Sequence, residues 1–173
     1  AFHTLDGETY WDESVAYAFT LDEIERDIEA PTEAIEQLCF AFIERAIDDD
    51  AVLARLAIPA AQWDFIRESW RRGDRNLYGR LDLAYDGSGP AKLLEYNADT
   101  PTALFESAVV QWDWLEQGMA RGVLGPGCDQ FNSLHERLIA AFAQLRAPSP
   151  YRLHLACVQS SAEDKGTVDY LMD

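Results

Sequence analysis

Apolar positions recur at helical spacing through the first seventy residues, alternate one-in-two between about residue 77 and 97, and return to helical spacing after Thr102. Thr20 followed by Glu23 has the spacing of a capping box, which predicts a helix through about Ile28. Pro31 suits the first turn of a second helix, whose stripe Ile35, Leu38, Cys39, Phe42, Ile43 and Ile47 runs to the Asp48-Asp49-Asp50 cluster. A third helix is expected from Pro59 to Arg72, with Trp63, Ile66 and Trp70 on its core side and Gly73 ending it. After the alternating stretch, Leu104, Ala108, Trp112 and Leu115 line one face of a further helix, with Gly118 near its end. Ser133 and Glu136 form a second capping-box pattern for a helix to about Leu145, which Pro148 and Pro150 break. The run YRLHLACV, residues 151–158, reads as a buried strand, and SAEDKGTVDYLMD opens a last helix.

These elements predict an α/β fold of the mixed α+β kind, with helices packed on a sheet that holds a 79–97 hairpin and the 151–158 strand. Val168, Leu171 and Met172 begin an apolar stripe that the chain end interrupts. Residues 1–173 therefore read as a single domain or as the N-terminal fragment of a longer protein, cut after the start of a helix at 162–173.

The hairpin YGRLDLAYDGSGPAKLLEYN carries the candidate chemistry. With Gly87 to Pro90 as the loop and Asp86 facing Ala91, Leu83 stands opposite Leu94 and Leu81 opposite Tyr96, so one face is apolar. The same register sets Asp82 opposite Glu95 and Arg80 opposite Asn97 on the other face. Two directly opposed carboxylates cost up to about 1 kcal/mol, and two readings relieve that repulsion. In one, Mg2+ sits between Asp82 and Glu95 with the Asn97 oxygen as a third ligand, and Arg80 grips a carboxylate or phosphoryl oxygen. In the other, the face is solvated and Arg80 offsets the acids. Thr100 and Thr102, in the turn that follows, either cap the next helix or donate to a ligand; the amides of that helix favour an anion.

Charge narrows the partners. The 31 acidic residues outnumber the 14 basic ones and leave a net charge of -17, which opposes nucleic-acid binding. With 48% apolar residues the chain is expected to fold rather than stay disordered. No apolar run approaches the roughly 20 residues that span a bilayer, and the opening residues do not resemble a signal peptide. Cys39, Cys128 and Cys157 lie far apart, as suits a reducing cytoplasm, and Cys39 and Cys157 fall on apolar segments that argue for packing rather than nucleophilic chemistry. His3, His135 and His154 have no metal-ligand spacing.

The segment YGRLDLAYDGSGPAKLLEYNADTPT, with WDES and LDEIERDIE before it and EDKGTVDYL after it, resembles the glutathionylspermidine synthase family of ATP-grasp-like carboxylate-amine ligases. The resemblance covers most of the chain and is most specific at Arg80-Leu81-Asp82 and Glu95-Tyr96-Asn97-Ala98-Asp99. It implies an enzyme that uses ATP to turn a carboxylate into an acyl phosphate, which an amine attacks to form an amide. By motif match, Arg80 holds the reacting carboxylate, and Asp82, Glu95 and Asn97 coordinate Mg2+ against the nucleotide phosphates. Thr100 and Thr102 fall near a glutathione-like peptide substrate. Glu163 and Asp164 fall where the family contacts the peptide and a polyamine, although negative charge in a first helical turn explains them equally. The family's nucleotide-binding lysines and a further metal carboxylate would follow Asp173. Lys92 and Lys165 are the only lysines and no Walker loop is present, so the fragment alone is expected to be inactive. The reading from another class is a non-catalytic module that captures a polyamine or a divalent cation.

Overall fold

The computed structural model describes residues 7–9, 11–146 and 153–173. Thr20 opens the first helix with the expected capping box: the Glu23 N–H donates to its hydroxyl, and its own N–H donates to the Glu23 carboxylate at 2.7 Å. The helix does not stop at Ile28. Leu21–Glu23, a π-helical stretch Ile24–Glu29 and Ala30–Ala46 form one continuous helix, α1, over 21–46. Pro31 thus lies inside a helix rather than opening one, and it has no N–H for the carbonyl four residues back, that of Asp27. The Ala91 N–H donates to that carbonyl at 2.7 Å, and the wider π turns sit next to the proline. A contact from the hairpin therefore supports the helix where the proline weakens it.

The Asp27 side chain strengthens the same junction. It is the largest fully buried side chain, at 1% exposure, and takes Nε and Nη2 of Arg26 at 2.8 and 2.9 Å and the Tyr85 hydroxyl at 3.2 Å. The Arg26 guanidinium holds the Asp27 carboxyl below the usual range, against the opposing effect of burial.

Asp49, in the acidic run, caps a short helix α2, Asp50–Arg55, by accepting the N–H groups of Ala51 and Val52. A 3-10 turn, Ala60–Gln62, leads into α3, Trp63–Arg72, and Gly73 ends it in the left-handed conformation with φ 66°. The tryptophans fix α3 with their ring nitrogens as well as their rings: Trp63 Nε1 donates to the Ile58 carbonyl at 2.9 Å and Trp70 Nε1 to Glu44 at 2.6 Å. Arg67 adds a bond from Nε to the Ile47 carbonyl at 2.9 Å.

The strands β1, Arg80–Ala84, and β2, Lys92–Asn97, pair antiparallel with Arg80 opposite Asn97, Leu81 opposite Tyr96 and Asp82 opposite Glu95, as the alternation predicts. Towards the tip the register slips: Leu83 faces Leu93 rather than Leu94, and Ala84 faces Lys92. A bulge leaves Leu94 as the extra residue on β2, and it stands exposed. Ala91 is buried and tied to Asp27, so α1 fixes where β2 begins, and the bulge absorbs the mismatch with the register of the open end.

Helix α4 covers 104–120, with a π segment Glu106–Val110 ahead of Gln111–Ala120. Leu104, Ala108 and Leu115 are buried along it, and Trp112 remains partly exposed. Helix α5, Leu134–Arg146, follows Ser133, whose hydroxyl accepts Nε of Arg137 at 3.0 Å. Helix α6, Ala162–Met172, is capped by Ser161 and joins the others through Tyr170, whose ring lies 5.6 Å from that of Phe105 and whose hydroxyl is 2.9 Å from Nδ1 of His135. The fold is mixed α/β, but among the described residues its sheet has two strands. Residues 153–158 form no strand, in contrast to the expected 151–158 element; residues 151 and 152, like the break at Pro148 and Pro150, lie outside the described residues. An apolar run becomes a strand only beside a partner for its backbone groups, and here Leu153 and Val158 are exposed instead.

Candidate functional site

The polar face of the hairpin is organised by Arg80. Residues two apart on a strand share a face, which places Asp82 within reach of the Arg80 guanidinium. Nε donates to Oδ1 of Asp82 at 2.7 Å, Nη2 to Oδ2 at 3.3 Å, and Nη1 to Oγ1 of Thr102 at 3.0 Å. One planar fork thus ties β1 to the residues that lead into α4. Its pKa is raised, first by the hydrogen bonds it donates to Asp82 and further by the charges of Asp82 and Glu95, while desolvation opposes this. The fork remains cationic.

Glu95 faces Asp82 across the strands, and among the described residues its carboxylate takes no hydrogen bond and no ion pair. Asn97 has a different setting. Its Oδ1 accepts the N–H groups of Asp99 and Thr100 at 3.2 and 3.1 Å, and its Nδ2 donates to the Thr100 carbonyl at 3.4 Å. This Asx turn reverses the chain after β2 and occupies both lone pairs of the amide oxygen. Thr100 enters the turn through its backbone, whereas the Thr102 hydroxyl is taken by Arg80 rather than capping α4. Ala103 follows at φ 65°, and the Ser107 N–H and hydroxyl donate to its carbonyl at 3.2 and 2.9 Å.

Two residues that the sequence reading passed over hold this arrangement. The Tyr78 hydroxyl donates to the carbonyl of buried Pro101 at 3.3 Å, and burial raises its pKa. Gly79 lets Tyr96 pack against the backbone, because a Cβ there would stand 2.6 Å from Cε2 of that ring. The only signal for them was their place in YGRLD. Arg80, Asp82, Glu95, Asn97, Thr100 and Thr102 are thus gathered at the open end of the hairpin. Glu163 and Asp164 sit apart in the first turn of α6, where the Asp164 N–H donates to Ser161 Oγ at 3.1 Å; no hydrogen bond or ion pair among the described residues joins either side chain to the hairpin.

The family description "Glutathionylspermidine synthase preATP-grasp" matches residues 1–173. The chain belongs to this family. The preATP-grasp chain is 44% identical over 172 residues to a Haemophilus influenzae protein named "Putative acid--amine ligase", a match over 97% of this chain and 42% of that protein. It is 27% identical over 148 residues to the bifunctional glutathionylspermidine synthetase/amidase of Escherichia coli, which covers 85% of this chain and 23% of the other. A trypanothione synthetase of Crithidia fasciculata is 36% identical over 73 residues, 42% of this chain and 11% of its own length. The chain therefore spans less than half of the length of each of these relatives.

The donor set of the preATP-grasp hairpin fits a hard cation in part. Among the described residues no three His, Cys, Asp or Glu side chains cluster as a metal site. The opposed pair Asp82 and Glu95 provides two carboxylates, the number that Mg2+ commonly takes from protein when phosphate and water complete its shell. Asn97 joins that set only by releasing a backbone N–H.

Proposed function

We propose that this preATP-grasp domain is part of an ATP-dependent carboxylate-amine ligase, a reading that the family and the names of its relatives support. The observation that carries the reading is the Arg80 fork, held by Asp82 and Thr102 beside Glu95, whose carboxylate takes no hydrogen bond or ion pair among the described residues. In the proposed reaction a carboxylate oxygen of a glutathione-like peptide attacks the γ-phosphorus of ATP, and ADP leaves. The nitrogen of a polyamine-like amine then attacks the acyl carbon, loses a proton and displaces inorganic phosphate. Arg80 orients the carboxylate and stabilises negative charge as the acyl phosphate forms, which is the help that phosphoryl transfer most needs from a protein. Asp82 and Glu95, with Asn97 once its turn opens, would hold Mg2+, which neutralises nucleotide phosphate charge. Thr100 and Thr102 serve the peptide, and the first-turn carboxylates Glu163 and Asp164 attract the cationic amine.

Most of the ATP site belongs to sequence outside these residues, so the chain alone is expected to be inactive, and a cytoplasmic location suits such substrates. The test is Mg2+-dependent ADP release by the intact ligase on adding glutathione and a polyamine, with the amide product identified by mass. Tight binding of the polyamine or of Mg2+ with no ADP and no amide would replace this reading with that of a binding module.

A further inference from the structure

Helix α1 is apolar on more of its circumference than this chain covers. Its inner side faces the hairpin and α3: the Ala91 N–H donates to the Asp27 carbonyl, and Phe40 lies 6.1 Å from Trp70 between ring centroids. Ile35, Cys39 and Ile43 are half-buried on that side and Ala46 is buried. Ala34, Leu38 and Ala41 form a row on the far side at three- and four-residue spacing, with Arg45 at its end, and Phe42 stands on the flank, seven residues from Ile35; the four apolar residues are exposed, Leu38 at 70%. A helix whose apolar arc runs this far past its buried edge is normally covered along more of that arc.

The total surface agrees. The chain exposes 13221 Å², whereas a compact chain of 19.5 kDa exposes about 8,500 Å². The excess of about 4,700 Å² is spread over the chain, and the exposed face of α1 is one part of it. More than half of the Haemophilus relative lies outside the match, enough polypeptide to cover the surface within one chain.

We infer that the Ala34–Leu38–Ala41–Phe42 face of α1 is a core surface shared with the remainder of the ligase polypeptide, which packs an apolar element along it. This rests on the ligase reading for the identity of the occupant, but its test involves no catalysis. The protein is isolated intact from its source and footprinted with hydroxyl radicals, in the native state and in denaturant, with modification at Leu38 and Phe42 read by peptide mass spectrometry. The expected result is protection of both side chains by about tenfold or more, as for core residues, unchanged on dilution. Protection that disappears on dilution would assign the face to a second copy and overturn the inference. So would native side chains that react about as fast as denatured ones, or an isolated protein no larger than 19.5 kDa. A protected face in a protein that releases no ADP would leave this inference standing and reject the ligase reading.

Discussion

The ring of Tyr96 occupies the space that a side chain on Gly79 would need: Cε2 lies 2.6 Å from the position of a Cβ, and the Asn97 carbonyl lies 3.3 Å from it. Tyr96 is opposite Leu81, so its ring crosses the strand end next to Arg80. Gly79→Ala is expected to destabilise the fold by about 1 to 3 kcal/mol through overpacking. Urea unfolding of Gly79→Ala alone and in a Tyr96→Ala background checks the cause. A penalty of the same size in both would show that the ring is not responsible.

Arg80→Lys keeps the charge and loses the fork. Lysine cannot reach both Asp82 oxygens and Thr102 from one planar group. Under the proposed ligase function, kcat/KM of the intact protein for the carboxylate substrate should fall by about a hundredfold to a thousandfold, with KM for the amine unchanged. Full activity in Arg80→Lys would remove Arg80 from the reaction and leave it as a brace between β1 and Thr102.

Acid sensitivity should centre on Asp27. Its carboxyl is held below the usual range by Arg26, so its contribution to stability is complete above the unfolded value of about 3.9 and disappears as pH falls through the lower folded value. The stability difference between the natural chain and Asp27→Asn should therefore be largest above about pH 5 and shrink towards pH 3. Tyr85 acts in the opposite direction: burial and the neighbouring Asp27 raise its pKa, so its contribution is present below about pH 10 and lost as pH rises through the folded value. Denaturation midpoints across the acid range decide the matter, and a difference that is constant with pH would exclude Asp27 as the source.

Ala103 sits at φ 65°, a conformation that costs a residue with a Cβ about 1 to 2 kcal/mol. Ala103→Gly should stabilise the chain by about 0.5 to 1 kcal/mol after the added flexibility of glycine in the unfolded state is counted, and Ala103→Val should destabilise it. Thermal unfolding of both variants tests this, and equal stability for all three chains would mean that the turn relaxes on substitution.

Much of this was legible locally. Thr20 with Glu23, Gly73 after Trp70, and the alternation that sets Asp82 opposite Glu95 each depend on residues close in sequence or on a two-residue period. What was not legible depends on distant partners. Continuity of α1 past Pro31 needs the Ala91 N–H, sixty residues away, and the residue left over at Leu94 follows from the same anchor. The apolar run before Gln159 gave no indication that it would lack a neighbouring strand. Leu38 and Phe42 were expected to share one stripe with Cys39 and Ile43, yet the helix buries that stripe only on one edge, leaving Leu38 and Phe42 exposed while Cys39 and Ile43 are half-buried. For the site, the pairing of Arg80 with Asp82 followed from the register, whereas the use of Asn97 as a turn-former depended on the backbone conformation of Asp99 and Thr100.

The bulge at Leu94 lets the two ends of the hairpin keep different registers. Because the surplus residue is taken up between Leu83 and the acidic pair, the distance along the strand from the tip no longer dictates which side chains meet at the open end. Alignment there is governed instead by Tyr78, Gly79 and the Asn97 turn. The tip from Gly87 to Pro90 can therefore differ in length or composition among related chains while Asp82 and Glu95 keep facing one another.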